Sequence, residues 1–414
     1  MEEIKQIDIC IVGAGPGGAA AALVLAKSGI ACHIFDKAIF PRDKICGDAL
    51  SGKVSAVMRL IDLEMPKQFS VLPFQIPSYG IRFVAPNGKE LNIPFSLKDP
   101  GQMEIPPGFI AKRIDFDNYL VEEIKKNELI HLHENTEIVE YVKNENGYLL
   151  STKTGNQFQT KLLIIADGAH SKFARHHGGI EMDELHYSAG LRAYYKNVSG
   201  FSAQNFIELH FLKGVLPGYF WIFPLANGQA NVGLGILSKT ISQRKLNLKK
   251  IMQDIIDNHP SIAPRFKDAE LIDGMKGYGL PLGSKKRVLS GNNYMLLGDA
   301  ASLIDPFTGE GIGNAMLCGL AAARVAKIAI GKNDFSKNTL QDYDNEVYRK
   351  LGPELNLSYK MQKLVKYPWL FNFIANKASK NKTLAETISC MFDDVDLRKK
   401  IKSPKFYFQL IFNT

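Results

Sequence analysis

The first 36 residues of the chain alternate between two hydrophobic periods. Residues 7–12 are a short run of apolar, mostly β-branched side chains, which is typical of a buried parallel strand. Residues 19–27 are rich in alanine and leucine and predict a helix that ends near Gly29. Residues 31–35 repeat the strand pattern and lead to Asp36. This order predicts a β-α-β unit of the Rossmann type with a parallel sheet.

The turn between the first strand and the helix is made of small residues. They are Gly13, Ala14, Gly15, Pro16, Gly17 and Gly18. Gly13 permits a tight turn, Gly15 lets backbone amides approach a pyrophosphate, and Gly18 lets the helix pack closely on the sheet. Asp36 follows about twenty residues later, where a carboxylate holds the ribose hydroxyls of an adenosine. The segment therefore predicts a dinucleotide site.

A second apolar strand pattern, at residues 293–297, favours FAD over NAD as the bound dinucleotide. FAD carries a ribityl chain and a ring that need ligands from elsewhere in the chain, and Asp299 follows this strand where it can bind the ribityl hydroxyls. Residues 305–315 form a glycine-rich loop that enters an alanine-rich helix. Amides near Gly311 and Ile312 suit the electron-rich edge of a reduced flavin. The alternative is a loop whose small residues serve packing alone.

The strand patterns predict a discontinuous domain organisation. The hairpin pattern of residues 79–94, with an Asn87-Gly88 turn, and the β-rich stretch 187–278 predict a second sheet inserted into the nucleotide domain. We expect an FAD-binding domain from 1–75, 105–180 and 280–335, a mainly antiparallel substrate-binding sheet from 76–104 and 181–279, and a helical region from 336–414. The fold class is therefore α/β.

Composition and charge narrow the class of protein. The chain has 414 residues, 45% hydrophobic and 22% charged, as expected of a globular protein with more than one domain. It carries no uncharged apolar run of 18 residues, and the first strand starts too early for a cleavable signal, so we expect a cytoplasmic protein. The five cysteines and nine histidines lack metal-ligand spacing, which predicts reduced thiols and no metal site.

The C-terminal region concentrates the basic charge of the chain. Residues 361–414 hold ten Lys or Arg and four Asp or Glu, and the whole chain carries +9. A solvated helical cap explains this pattern. The aromatic clusters at 367–373 and 406–408 favour instead a surface that rests on anionic lipid at the inner face of the membrane. Nucleic acid is not expected as a partner, because no recognition motif accompanies the charge.

Four motifs resemble the p-hydroxybenzoate hydroxylase-like flavoprotein superfamily. They are residues 13–18, 166–171 with Arg175, 298–299, and the R-x-x-x-D-x-x-L segment at 113–120. The resemblance implies FAD as the cofactor and places Arg113 close to it. It also implies flavin contacts from Lys37, Ile138, Asp167 and Gly168.

Two further segments bear on the chemistry. Residues 44–50 contain Cys46, Gly47, Asp48 and Ala49 just after the second strand, where the flavin ring is expected. Residues 217–224 alternate so that Tyr219, Trp221 and Phe223 point to one face of a strand, which suits a long hydrocarbon. Ordinary sheet core is the alternative for such an aromatic stripe.

Together these segments resemble the geranylgeranyl reductase family. The resemblance rests on Tyr-x-Trp-x-Phe-Pro, ending at Pro224, then Gly233-Leu234-Gly235, and on the Cys-Gly-Asp segment. It implies a lipid tunnel lined by Tyr219, Trp221, Phe223 and Pro224, and reduction of carbon–carbon double bonds of an isoprenoid or prenyl lipid. Cys46, Gly47 and Asp48 become the catalytic candidates, and Cys46 either assists proton delivery or only shapes the pocket.

Other functions remain open at this level. Flavin hydroxylases share the fold, and flavin halogenases carry W-x-W-x-I-P, from which this chain departs at Tyr219 and Phe223. A catalytic lysine of the halogenase kind is not identified. A non-catalytic flavoprotein or lipid-binding protein is a third class. The electron donor is NADPH, a ferredoxin-like protein or a quinol, since the chain has no second complete dinucleotide motif.

Overall fold

The computed structural model describes residues 4–96, 101 and 103–378, which form ten α-helices and 18 strands. The aromatic cluster at 406–408, Cys390 and the rest of the basic region beyond 378 lie outside the described residues. The helices are α1 Pro16–Lys27, α2 Gly52–Ile61, α3 Met65–Ser70, α4 Arg113–Lys125, α5 Lys172–His176, α6 Ser238–Arg244, α7 Leu248–Asn258, α8 Ile312–Lys332, α9 Lys337–Leu364 and α10 Pro368–Ala378. The strands are β1 Lys5–Val12, β2 Cys32–Phe35, β3 Ala49–Leu50, β4 Gln75–Ser78, β5 Gly80–Val84, β6 Glu90–Pro94, β7 Gly108–Ala111, β8 Ile130–His133, β9 Ile138–Asn144, β10 Gly147–Thr152, β11 Gln157–Ile165, β12 Tyr187–Lys196, β13 Ile207–His210, β14 Tyr219–Leu225, β15 Gln229–Leu237, β16 Glu270–Pro281, β17 Ser290–Gly291 and β18 Tyr294–Leu296.

The first sheet has the strand order β17-β18-β11-β1-β2-β8. Its strands β18, β11, β1, β2 and β8 run parallel, and the antiparallel hairpin of β9 and β10 joins it along β11. β1, α1 and β2 agree with the strand, helix and strand predicted from the hydrophobic periods. α1 covers the sheet and packs on α8 so closely that a Cβ at Gly319 would lie 2.3 Å from the carbonyl oxygen of Gly17. Small residues make this backbone-to-backbone contact possible.

α8 is long and apolar enough to cross a membrane by length and composition alone. Most of its residues are buried within the protein, against α1 on one side and α9 on another. Burial of this kind is what a core helix of a globular domain shows as well.

The second sheet has the order β16-β12-β15-β14-β13-β5-β6 and is antiparallel except where β13 pairs with β5. Its two faces serve different purposes because side chains alternate along each strand. One face carries Trp221 and Phe223 toward the first sheet, and the other carries Phe220 and Ile222. α7 covers this second face. The strand pattern did not predict α6 and α7, which interrupt the β-rich stretch.

The fold class is confirmed as α/β: a Rossmann-like domain with an inserted, mainly antiparallel sheet, followed by helices. The strands of the first sheet come from 5–35, 130–165 and 290–296, and those of the second from 80–94 and 187–281. A third, small sheet is formed by β3, β7 and β4. The domain boundaries given above stay a prediction.

Candidate active site

A cavity of about 500 Å³ brings most of the predicted site residues together. Its lining contains Gly13, Gly15, Pro16, Gly17, Asp36, Lys37, Cys46, Gly47, Asp48, Ala49, Arg113, Asp167, Gly168, Tyr219, Trp221, Phe223, Asp299, Gly311 and Ile312. These residues come from widely separated stretches of the chain, between residues 13 and 312. Glycines and charged groups line one part of the cavity, and aromatic and aliphatic side chains line another.

Three predicted residues lie outside the cavity lining among the described residues. A Cβ at Gly18 would lie 1.9 Å from the carbonyl oxygen of Gly13, so Gly18 serves the packing of α1 on β1. Ile138 pairs with Thr152 in the β9–β10 hairpin, and its side chain packs in the hydrophobic core. Pro224 follows Phe223 in β14, and strand alternation turns its ring away from the cavity. Binding roles for these three residues find no support in their positions.

The glycine-rich end of the cavity is built to receive a dinucleotide. Gly13 adopts φ +102°, and a Cβ there would meet the carbonyl oxygen of Ala166 at 2.4 Å. The Asp36 carboxylate accepts hydrogen bonds from the backbone N–H groups of Ala14 and Ala38, both at 2.9 Å. The amino ends of both α1 and α8 line the cavity, and each offers unpaired N–H groups and positive dipole charge. A pyrophosphate and the electron-rich edge of a flavin fit these two helix ends.

Asp299 has a partner that the sequence did not reveal. Lys44 Nζ lies 2.9 Å from Asp299 Oδ2, across 255 positions of the chain. The same ammonium lies 5.3 Å from the centre of the Tyr278 ring. The ion pair ties the segment before Cys46 to the turn after β18. The role of Asp299 toward the ribityl chain stays a prediction.

Cys46 lies beside a buried cation. Arg113 donates from Nε and Nη2 to the two oxygens of Asp117 at 2.6 and 2.7 Å, and Arg42 also pairs with Asp117. Burial raises the pKa of the Cys46 thiol, and the nearby Arg113 only partly offsets that effect. Burial also opposes ionisation of Asp117, but the Arg113 charge prevails and lowers its pKa. The site therefore holds Cys46 as a neutral thiol next to a permanent positive charge.

Asp48 is fully buried and adopts φ +68°. Its Oδ2 accepts hydrogen bonds from the Tyr194 hydroxyl at 2.7 Å and the Asn231 amide at 2.8 Å. Its Oδ1 accepts from the backbone N–H of Arg113 at 3.2 Å. Burial raises the pKa of Asp48 to about 6 in spite of these donors. The carboxyl is thus held from three sides by groups that can only donate to it in this arrangement.

The aromatic strand β14 is tied to the rest of the site at several points. Ring centres of Tyr219, Trp221 and Phe223 follow one another at 6.2 Å, so the three rings form one wall of the cavity. The Tyr219 hydroxyl donates to the carbonyl oxygen of Thr308 at 2.6 Å. A Cβ at Gly47 would lie 2.9 Å from the Phe223 ring, so the cysteine segment packs directly on that ring. The predicted alternation of β14 therefore agrees with the structure.

Trp221 occupies the space left by the glycines of β15. A Cβ at Gly233 would lie 2.3 Å from Trp221 Cζ2, whereas one at Gly235 would lie 4.0 Å from its Cζ3. The indole Nε1 donates to Asn231 Oδ1 at 2.8 Å. The Gly-x-Gly that follows the aromatic motif thus makes room for the tryptophan ring of that motif.

The sequence reasoning missed Asn231 and Tyr194. Asn231 is an uncharged polar residue in an otherwise apolar run, Ala230-Asn231-Val232, and lies opposite Phe223 in the β14–β15 register, while its two neighbours pack on the other face of the sheet. Tyr194 lies in β12, three strands earlier in the sequence, and is directly opposite Asn231 in the β12–β15 register. A polar side chain on a predicted buried face was the signal that pointed to Asn231.

Comparisons with known proteins show which families the chain resembles. Residues 187–278 match the geranylgeranyl reductase catalytic domain, and residues 6–51 match an FAD binding domain. The chain is 31% identical over 328 residues to menaquinone reductase of Mycobacterium tuberculosis, which covers 77% of this chain and 76% of that protein. It is 29% identical over 360 residues to digeranylgeranylglycerophospholipid reductase of Thermoplasma volcanium, which covers 83% and 84%.

Solved structures confirm the fold. A geranylgeranyl bacteriochlorophyll reductase-like protein from Thermoplasma acidophilum superposes with a TM-score of 0.79 at 25% identity, over 92% of this chain and 93% of that one. The flavin-dependent brominase Bmp2 superposes with a TM-score of 0.75 at 20% identity, over 94% and 95%, which shows a shared fold.

The fold and the cavity define an FAD-dependent oxidoreductase. Within that class the chain belongs to the geranylgeranyl reductase family. FAD as the cofactor and the resemblance inferred from the motifs are both confirmed.

Proposed function

We propose that this protein saturates isolated carbon–carbon double bonds of an isoprenoid or prenyl-lipid substrate. The observation that carries the proposal is a single cavity with a dinucleotide end and an apolar end. Besides the three aromatic rings of β14, the apolar end is lined by Ile81, Phe95, Ile207 and Leu209. Such a surface fits a hydrocarbon chain and offers it few hydrogen bonds. The names of the relatives, reductases of a prenylated phospholipid and of a menaquinone, support the same substrate class.

The chemistry requires stabilisation of positive charge on carbon. Reduced FAD, when bound, supplies the hydride that adds to one alkene carbon. Cationic character develops on that carbon as a proton reaches the other one, and the chain can stabilise this charge with the ring faces of Trp221 and Tyr219. An isolated alkene has no carbonyl to polarise, so close positioning in a water-poor cavity must supply much of the rate.

The proton for the second carbon is assigned to Cys46. Its raised pKa keeps the thiol protonated, and Arg113 lies where it can stabilise the thiolate that proton transfer leaves behind. Gly47 lets the Cys46 segment pack directly on the Phe223 ring, and Asp48 anchors that segment through its hydrogen bond from Asn231. In this assignment Cys46 touches the substrate, while Gly47 and Asp48 hold Cys46 in place.

Anaerobic turnover tests the proposal. The purified flavoprotein is reduced with dithionite, which removes any dependence on NADPH, ferredoxin or quinol, and candidate isoprenoids are added. We expect products heavier by two mass units per reduced bond, and we expect Cys46→Ser to slow their formation about 100-fold or more, the usual contribution of a general acid. Full turnover by Cys46→Ser would remove Cys46 from the chemistry. Failure with every isoprenoid class in spite of bound FAD would overturn the substrate assignment.

The same assay in air separates the alternative functions. A flavin hydroxylase would consume oxygen in proportion to substrate and add an oxygen atom to the product. A halogenase would require halide and add that atom instead. We expect neither product from a reductase.

We also propose that the protein rests on anionic membrane through α10. Tyr367, Trp369 and Phe373 are 58%, 70% and 52% exposed. The opposite face of the helix packs through Phe371 on the aromatic cluster that includes Trp221. The helix thus presents exposed rings beside Lys366 on one face and packs with its other face on the apolar cluster that lines the cavity. This arrangement suits entry of a lipid substrate from a bilayer.

Vesicle co-sedimentation tests this contact. We expect binding to vesicles with phosphatidylglycerol and little binding to pure phosphatidylcholine, because Lys366 and its neighbours favour anionic headgroups. Replacing Trp369 and Phe373 together by alanine should weaken binding about 10-fold or more, since two large side chains lose their burial. The matched control replaces Leu63 and Val71, which are 73% and 77% exposed elsewhere on the protein. Equal loss in both double variants would contradict a specific role for α10.

A further inference from the structure

Asn231 joins the two segments that carry the chemistry. Its Nδ2 donates to the carbonyl oxygen of Cys46 at 2.7 Å and to Asp48 Oδ2 at 2.8 Å, and its Oδ1 accepts from Trp221 Nε1 at 2.8 Å. Cys46 and Asp48 lie 185 and 183 positions earlier in the chain. One side chain therefore contacts the cysteine segment and the aromatic strand at the same time.

The orientation of the Asn231 amide is determined by its partners. Its two N–H groups face two acceptors, and its oxygen faces a donor that can never accept, the indole N–H. A flipped amide would place donor against donor and acceptor against acceptors. Asn231 is fully buried, so water cannot relieve those contacts. Asparagine matches this set of partners in length and in the number of donors, whereas aspartate lacks the donors.

Asp48 and Tyr194 hold the amide in place. The Tyr194 hydroxyl donates to the same Asp48 oxygen that receives the Asn231 amide. Its ring lies between two cations, with Arg192 Cζ at 3.9 Å and Lys112 Nζ at 4.7 Å from the ring centre. Burial and the Asp48 charge raise the pKa of Tyr194, so its hydroxyl stays a donor.

We propose that Asn231 is a positioning residue: its amide sets the placement of the Trp221 ring relative to Cys46, and the Asp48–Tyr194 pair fixes the orientation of that amide. The proposal deepens the function proposed above, because an alkene held between a cation-stabilising ring and a proton donor depends on their separation. A displacement of about 1 Å at such a site can cost about 100-fold in rate. Asn231 acts through Trp221 and Cys46 and is not itself a catalytic residue.

Two readouts, one spectroscopic and one chemical, test whether Asn231 links Trp221 to Cys46, and neither relies on turnover. The chain has two tryptophans, so Trp369→Phe leaves Trp221 as the only indole N–H in the FAD-loaded protein. In that background we expect Asn231→Leu to move the ¹H–¹⁵N indole resonance of Trp221 upfield, because its acceptor is gone. We also expect Cys46 to react with iodoacetamide about 10-fold faster, as read from the mass of its peptide, because two hydrogen bonds that hold its segment are lost.

Asn231→Asp supplies a pH-dependent version of the same test. The new carboxylate would face the Asp48 carboxylate and the Cys46 carbonyl, and two such carboxylates bind one shared proton with a raised pKa. The groups that also face Asp48 are Arg113, Arg192 and Tyr194, which stay protonated through this range. We therefore expect the ratio of alkylation rates, variant to wild type at equal pH, to fall toward one on acidification. No such recovery is expected for Asn231→Leu.

Asn227→Asp is the matched control. It makes the same chemical change in the exposed turn between β14 and β15, and we expect wild-type resonance, alkylation and turnover. With an accepted isoprenoid, Asn231→Leu should lower kcat about 10- to 100-fold with little change in KM. An unchanged Trp221 resonance and alkylation rate would overturn the link, and full kcat despite both changes would overturn the positioning role. If wild type reduces no isoprenoid, the substrate proposal fails while the resonance and alkylation results still decide the link.

Discussion

Gly233→Ala is expected to lower kcat about 100-fold while FAD stays bound. The added Cβ would lie 2.3 Å from Trp221 Cζ2 and 2.2 Å from the carbonyl oxygen of Leu191, so either the ring or the strand must shift. The indole forms the middle of the aromatic wall, and a shift of about 1 Å there is enough for a loss of this size. Turnover at saturating isoprenoid, flavin absorbance and, in the Trp369→Phe background, the fluorescence of Trp221 measure the effect.

Gly235→Ala is the control for Gly233. It makes the same change two residues further along β15, on the same face, where the Cβ would lie 4.0 Å from the tryptophan ring. That distance is an ordinary van der Waals contact, so we expect kcat within about threefold of wild type. Equal losses in the two variants would mean that β15 tolerates no Cβ and that Trp221 is not the reason.

Gly18→Ala is expected to abolish FAD binding and to lower the free energy of unfolding by about 3 kcal/mol. The added Cβ would lie 1.9 Å from the carbonyl oxygen of Gly13 and 3.2 Å from Ile11 Cγ2, and the Gly13 carbonyl belongs to the backbone and cannot rotate away as a side chain can. α1 must move off β1, and its amino end then no longer points into the cavity. Flavin content after purification and denaturant unfolding measure the two effects.

Gly331→Ala is the control for Gly18. Gly331 lies in α8, is exposed, and has nothing within 4 Å of the added Cβ. Because alanine favours a helix over glycine, this variant should be more stable by about 0.5–1 kcal/mol with full FAD content. Retention of FAD by Gly18→Ala would show that α1 can shift without losing the nucleotide, which contradicts the role assigned to its packing.

Much of the fold could be predicted because its signals are local. The apolar run of β1, the close turn at Gly13 and the alanine-rich start of α1 are properties of neighbouring residues, so the β-α-β unit and the dinucleotide class follow from the sequence. The alternation in β14 likewise predicts which side chains share a face, and Tyr219, Trp221 and Phe223 all line the cavity. The helices that cover the second sheet were missed because a strand-rich stretch hid their short amphipathic periods.

The partners of the site residues depend on contacts between distant segments. Asn231 meets Cys46 and Lys44 meets Asp299 across 185 and 255 positions of the chain, and Trp221 fits over Gly233 because β14 and β15 pair in that register. Ile138 is predicted to contact the cofactor, and the structure places its side chain in the hydrophobic core beside the β9–β10 hairpin. Periodicity assigns a residue to a face but carries no information about what lies opposite that face.

The sequence by itself thus determined the Rossmann-like unit, the FAD class and the aromatic face, because glycine turns and hydrophobic periods act over a few neighbouring residues. The tertiary structure alone decided that a buried asparagine joins the cysteine segment to the tryptophan, and that a neutral thiol lies beside a buried arginine. Those pairings arise between segments that lie far apart in the chain, and hydrogen bonds between such segments leave no local pattern in the sequence.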